Sequence, residues 1–262
     1  MCNELIGLVP AAGGGTRISP LPNSKELFPI GFQKMKFGKD MQLRPKVISQ
    51  YLIDNMLQAG AQKIFMILAR GKTDIMLYFS RQKEYGNHLA YLIDDDVRGM
   101  PCTMDVAWPW IKENTVLFGM PDTIFTPTNA FELLITQHRA NKADLTLGIF
   151  PTDNPEKLCP VTLDQEDRVL TMTDKPKVSH VMNTWGCGVW GPRFSEFMHG
   201  YLKSSFSKGG ETVLADIFLA GIEASLSIYG VFFAGGEYID IGTPTDLVRA
   251  VSRFSKDLGP VF

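Results

Sequence analysis

The chain has 262 residues, 45% hydrophobic and 21% charged, the balance of a globular protein with room for a large core. A net charge of −2 lacks the basic excess that nucleic acid or an acidic membrane calls for, so local cations must meet any anionic ligand. Cys2, Cys102, Cys159 and Cys187 fit no zinc pattern, and no apolar run reaches 18 residues, so the expectation is a cytoplasmic chain that meets neither nucleic acid nor membrane.

The first element is the apolar run Leu5–Ala11, which reads as a buried strand. It leads into Gly13, Gly14 and Gly15, then Thr16 and Arg17, with Lys25 eight residues beyond the arginine. Consecutive glycines lack the Cβ atoms that keep backbone N–H groups away from an anion. Such a loop at the carboxyl end of a strand is where an α/β sheet receives phosphate. Arg17 can bind phosphate bidentately, and Lys25 adds a mobile point charge. No Gly-Lys-Ser/Thr triplet follows, so the loop is not a Walker A loop. Ile18 stands where a dinucleotide fingerprint needs its third glycine.

Residues 32–44 alternate around a Gly-Lys-Asp turn and read as a solvated hairpin rich in lysine. Pro45 is expected to start a helix that Gly60 ends. Strand, helix and strand follow at Lys63–Leu68, 73–82 and 88–93, the alternation of a parallel sheet covered on both faces. Asp94, Asp95 and Asp96 form an acidic loop, and residues 100–108 read as a helix that Pro109 stops. A short buried strand, 115–118, runs into Asp122, well placed past a strand end for a metal. A helix over 129–141 and a strand over 145–150 come next. The second half holds a hairpin over 161–173, a strand over 184–190 and a helix over 195–202. After a polar break at 203–210 come a helix over 212–224 and a strand over 227–233. Thr243 caps a last helix that has Pro244 at its first position. No linker or repeat interrupts the chain, so one domain is expected over 1–262.

Gly13, Gly15, Thr16, Arg17, Pro20, Lys25, Phe28 and Pro29 resemble the signature of the sugar-1-phosphate nucleotidylyltransferases: G-x-G-T-R, a proline, then a lysine shortly before Leu/Phe-Pro. Three further stretches match that family in order: Asp122-Thr123-Ile124-Phe125, Asp174-Lys175-Pro176 and Asp240-Ile241-Gly242-Thr243-Pro244. The likeness extends to bacterial thymidylyl- and uridylyltransferases for glucose 1-phosphate. It implies a Rossmann-like three-layer α/β/α sandwich with a mixed, mostly parallel sheet. Residues 1–120 would form the nucleotide-binding half and 121–262 the sugar-phosphate half.

The resemblance also implies roles. Asp122 and Asp240 would bind Mg²⁺ as the cofactor. Arg17 would hold the β- and γ-phosphates, Lys25 would bridge the α-phosphate and the attacking oxygen, and Lys175 would hold the sugar phosphate. Ala12, Gly13, Gly14, Gly15 and Thr16 would cradle the nucleotide. Asp94, five residues before Gly99, falls where the family reads the base with Gln. Asp174, Cys159 and Thr184 would face the sugar, with Cys159 in place of a family glycine. The implied partners are a nucleoside triphosphate and a sugar 1-phosphate, in a homo-oligomer. Two alternatives stay open: a cytidylyltransferase for a phospho-alcohol such as phosphocholine, and a catalytically silent, ligand-sensing relative.

Overall fold

The computed structural model describes residues 4–94, 98–205 and 212–255. Cys2, the Asp95 and Asp96 of the acidic loop, and most of the polar break at 203–210 lie outside the described residues. The strands are β1 Leu5–Ala11, β2 Pro29–Phe37, β3 Asp40–Val47, β4 Lys63–Leu68, β5 Leu89–Ile93, β6 Thr115–Gly119 and β7 Thr123–Thr126. They continue with β8 Leu145–Pro151, β9 Val161–Leu163, β10 Val169–Met172, β11 Asn183–Trp190, β12 Ile228–Phe232 and β13 Glu237–Asp240. The helices are α1 Ile48–Gln58, α2 Thr73–Ser80, α3 Lys83–Gly86, α4 Met100–Asp105, α5 Trp108–Ile111, α6 Ala130–Ala140, α7 Pro192–Ser205, α8 Leu214–Glu223 and α9 Pro244–Ser255.

Seven strands form the central sheet in the order β12-β8-β11-β6-β1-β4-β5. β1 pairs in parallel with β4 and β6, β4 with β5, and β8 with β12. β11 is antiparallel to both its neighbours, β6 and β8, so six strands point one way and one points back. The mixed, mostly parallel sheet expected from the sequence is therefore present.

Alternation along the strands explains the two helical layers. Ile6 and Leu8 of β1, with Val116 and Phe118 of β6, pack against Met104, Phe194, Met198 and Phe218 from α4, α7 and α8. Val9 of β1 and Leu117 of β6 face the other way, onto Leu52, Met56, Phe79 and Phe131 from α1, α2 and α6. All of these side chains are buried, so both faces of the sheet are sealed by apolar surface. Among the described residues no helix is long and apolar enough to cross a membrane.

Two local expectations are corrected. Pro45 does not start α1. It lies in β3 opposite Phe32, on a two-stranded hairpin where its missing N–H costs no interior ladder bond. Pro109 does not stop a helix. It sits in the first turn of α5, where an amide N–H has no helical partner anyway. The sequence reading also lacked β7 and β13, which form their own two-stranded antiparallel ladder.

Candidate active site

The loop that leaves β1 opens onto a cleft of about 560 Å³. Ala12, Gly13, Gly14 and Arg17 line it from this loop, and Lys25 and Gly99 lie beside them. Gly15 shapes the turn instead of lining the cavity. Its φ of +63° opens the short 3-10 turn Thr16–Ile18, a conformation that costs little without a Cβ. The stem of Lys25 runs past Gly15, 3.6 Å from where a Cβ would be. The glycine turn thus holds Arg17 and Lys25 over the same space.

Asp122 and Asp240 also line the cleft, from positions 118 residues apart in the chain. The β7–β13 ladder brings them together. Thr123 pairs with Asp240 in its register, and the Ile241 N–H donates to the Asp122 carbonyl at 3.2 Å. The N–H of Gly242 donates to Asp240 Oδ1. A Cβ on Gly242 would fall 2.8 Å from that oxygen and 3.2 Å from Nη2 of Arg17. The missing side chain at 242 is what lets this carboxylate and this guanidinium approach one spot.

The electrostatics follow from that crowding. Lys25 Nζ meets Asp122 Oδ2 at 2.5 Å, with both side chains largely buried. Burial pulls the Lys25 ammonium down, but Asp122, with help from Glu26 and Asp240, leaves it more basic than an ordinary lysine. Burial, and then the charge of Asp122, raise the Asp240 carboxyl to about 6, against the pull of Gly242 N–H, Lys25 and Arg17. Two acids are thus held close in a poorly solvated place, a standing demand for positive charge.

A divalent cation suits this demand. Among the described residues no group of three or more His, Cys, Asp or Glu could cage a metal. Mg²⁺ needs no such cage. It takes oxygen ligands and usually one or two carboxylates, with phosphates and water completing its shell. The donor set Asp122 and Asp240 fits that pattern.

The far side of the cleft holds Asp174, Lys175, Cys159 and Thr184. Lys175 adopts a φ of +46°, and its N–H donates to the Leu158 carbonyl at 2.7 Å. Its ammonium stands 3.5 Å from Asp174 Oδ2. Burial pushes the Cys159 thiol up to about 11, so it stays protonated and is no nucleophile at neutral pH. Asp94 is buried past the end of β5, its N–H donating to Leu68, and it is not part of the cleft lining; nor is Thr16.

Among the lining residues that escaped the sequence reading are Glu26, Lys157, Trp185 and Tyr238. Glu26 is 1% exposed and accepts from Lys72 Nζ at 2.7 Å. Burial raises its carboxyl against the pull of Lys72. Its place beside Lys25 was the one available signal. Trp185 reaches the cleft beside a β-bulge between positions 185 and 187, which no local pattern announces.

Sheet order and helical layers define a Rossmann-like three-layer α/β/α fold with one cleft at the end of β1. The fold overlays with a TM-score of 0.79 on a Bacillus anthracis protein assigned as a glucose-1-phosphate thymidylyltransferase, over 95% of each chain. It overlays at 0.73 on the inositol-1-phosphate CTP transferase of T. maritima, over 98% of this chain and 97% of that one. Identity is 17% in both cases, so these overlays speak to the fold.

The chain belongs to the nucleotidyl transferase family, whose model matches residues 6–257. It is 24% identical over 262 residues to the bifunctional protein GlmU of Methanococcus vannielii, across 97% of this chain and 56% of that protein. It is also 24% identical over 255 residues to the glucose-1-phosphate thymidylyltransferase of Neisseria meningitidis, across 94% and 81% respectively. The chain therefore spans just over half the length of the GlmU proteins it matches.

Proposed function

We propose that this chain transfers a nucleotidyl group from a nucleoside triphosphate to a sugar 1-phosphate, giving an NDP-sugar and pyrophosphate, with Mg²⁺ as cofactor. The observation that carries this reading is the meeting of Asp122, Asp240, Lys25 and Arg17 around one glycine-lined cleft. Residues 1–120 supply the nucleotide side of that cleft and residues 121–262 the sugar-phosphate side.

The attacking atom is a phosphate oxygen, already ionised near neutral pH, so no general base is needed. What the chain must do is bring two anions together and hold them in line. The glycine loop offers backbone close to the triphosphate. Arg17 holds the β- and γ-phosphates, where charge builds as pyrophosphate leaves. Lys25 stands between the α-phosphate and the incoming oxygen, and Lys175 holds the sugar phosphate. Asp122 and Asp240 would hold Mg²⁺, which neutralises phosphate charge when bound.

The presence of Arg17, Lys25 and both acids in the cleft disfavours a catalytically silent relative. The test is pyrophosphate release from a panel of nucleoside triphosphates and sugar 1-phosphates, with and without Mg²⁺. Mg²⁺-dependent release with formation of an NDP-sugar is expected. Turnover with CTP and phosphocholine, and with no sugar phosphate, would reject the proposal in favour of a phospho-alcohol acceptor.

A further inference from the structure

One wall of the cleft is built from residues 157–160, 174–175 and 184–185, and most of its backbone N–H groups are already engaged. The N–H of Lys157 donates to Asn154, that of Leu158 to Pro155, and that of Trp185 to Cys159. The N–H of Lys175 donates to Leu158. The N–H of Cys159 donates to Thr184 Oγ1, and that hydroxyl has the Trp185 carbonyl at 3.0 Å and the Cys159 carbonyl at 3.4 Å as acceptors within the wall. Pro160 has no N–H to offer.

Beside Thr184, and Thr212 just before α8, the wall turns several apolar side chains toward the cavity. Leu158, Cys159 and Trp185 line it there, and Val213, Leu214 and Ala215 at the start of α8 add apolar side chains. Trp185 is fixed by Phe218, edge-on at 5.4 Å, and by Phe118 at 6.1 Å. Its indole N–H is shielded, so the small part of Trp185 that stays exposed excludes that donor. The charged lining residues on this side are Asp174, Lys175 and Lys157, and Lys157 pairs with no carboxylate among the described residues.

A fully hydroxylated hexose carries hydroxyls around its whole ring, and each one buried without a partner opposes binding. This wall can pair few of them. Resting on the transfer reading above, we propose that the acceptor is a hydroxyl-poor sugar 1-phosphate. Its face toward Leu158, Cys159 and Trp185 is deoxygenated or alkylated. The two lysines take the phosphate, and Asp174 accepts from the hydroxyls that remain.

Apolar pockets reject an added hydroxyl only moderately, by up to roughly 100-fold, whereas sites built to bind a hydroxyl reject its loss far more strongly. The sign of the preference is therefore diagnostic. Pyrophosphate release is compared for glucose 1-phosphate, 6-deoxyglucose 1-phosphate and 4,6-dideoxyglucose 1-phosphate with one triphosphate. The expected result is a kcat/KM about 10- to 100-fold higher for a deoxy acceptor. Equal or better use of glucose 1-phosphate overturns the acceptor assignment and leaves the transfer reading intact. Release with no sugar 1-phosphate at all overturns the transfer reading itself. In a second measurement, Leu158→Gln places a donor and an acceptor on the wall and should shrink the deoxy preference about fivefold or more. A preference unchanged by that substitution overturns the role given to the wall.

Discussion

Lys25 and Asp122, 2.5 Å apart, are the cation proposed for phosphate and a carboxylate proposed for the metal. Asp122→Asn keeps the shape and removes the charge. Turnover should fall by about 100-fold or more, while cooperative thermal unfolding persists. Wild-type pyrophosphate release from that variant would remove Asp122 from the chemistry. Gly242 makes a second test. A Cβ there would sit 2.8 Å from Asp240 Oδ1, in the space that Arg17 also approaches. Gly242→Ala is expected to raise the Mg²⁺ concentration needed for half-maximal turnover several-fold, and an unchanged Mg²⁺ titration would argue against Asp240 as a ligand. Both acids and the glycine were readable from their motifs. That Gly242 leaves room for Asp240 and Arg17 to approach one spot was not, because Arg17 is brought in from the other end of the chain.

At the scale of elements, the β7–β13 ladder and α9 form one device. The ladder ends at Asp240, and α9 begins four residues later at Pro244. Thr243 Oγ1 donates to Asp246 Oδ2 at 2.5 Å and accepts the Asp246 N–H at 3.3 Å, a reciprocal cap of the first turn. Thr243→Ala should cost about 1 kcal/mol, lowering the Tm by roughly 2–4 °C for a chain of this size. A calorimetric scan that shows no shift would mean the cap is idle. The cap was legible because Thr-Pro at a helix start has a local cause. The strands themselves were not: each has only four residues, and each is a strand only because the other lies against it.

For the molecule as a whole, pH tests how firmly the two helical layers are held to the sheet. His138 of α6 is 8% exposed, and its Nδ1 lies 3.1 Å from Thr146 Oγ1 in β8. Burial pushes its pKa down to about 4, against the pull of Asp144. The unfolded chain, with a histidine near 6.5, then takes up a proton that the folded chain refuses. The stability that His138 contributes is full above about pH 6.5 and falls as pH drops from there toward 4, by on the order of 3 kcal/mol. Thermal melts of His138→Gln should show a shallower loss over that window than the parent, and equal slopes would rule out His138 as the cause.

Composition, periodicity and the glycine loop by themselves determined the layered α/β class, the strand that opens it and the family resemblance, because these depend on neighbours within about a dozen residues of one another. The positions of Arg17, Lys25, Asp122 and Asp240 in the chain were legible for the same reason. Tertiary structure alone decided that these four share one cavity, that β11 runs against its sheet, and that Trp185 and Lys157 line the same cavity. Those outcomes depend on register between strands, on a bulge in β11 and on the pairing of β7 with β13. Each is a contact between segments distant in sequence, where pairing and burial outweigh local preference.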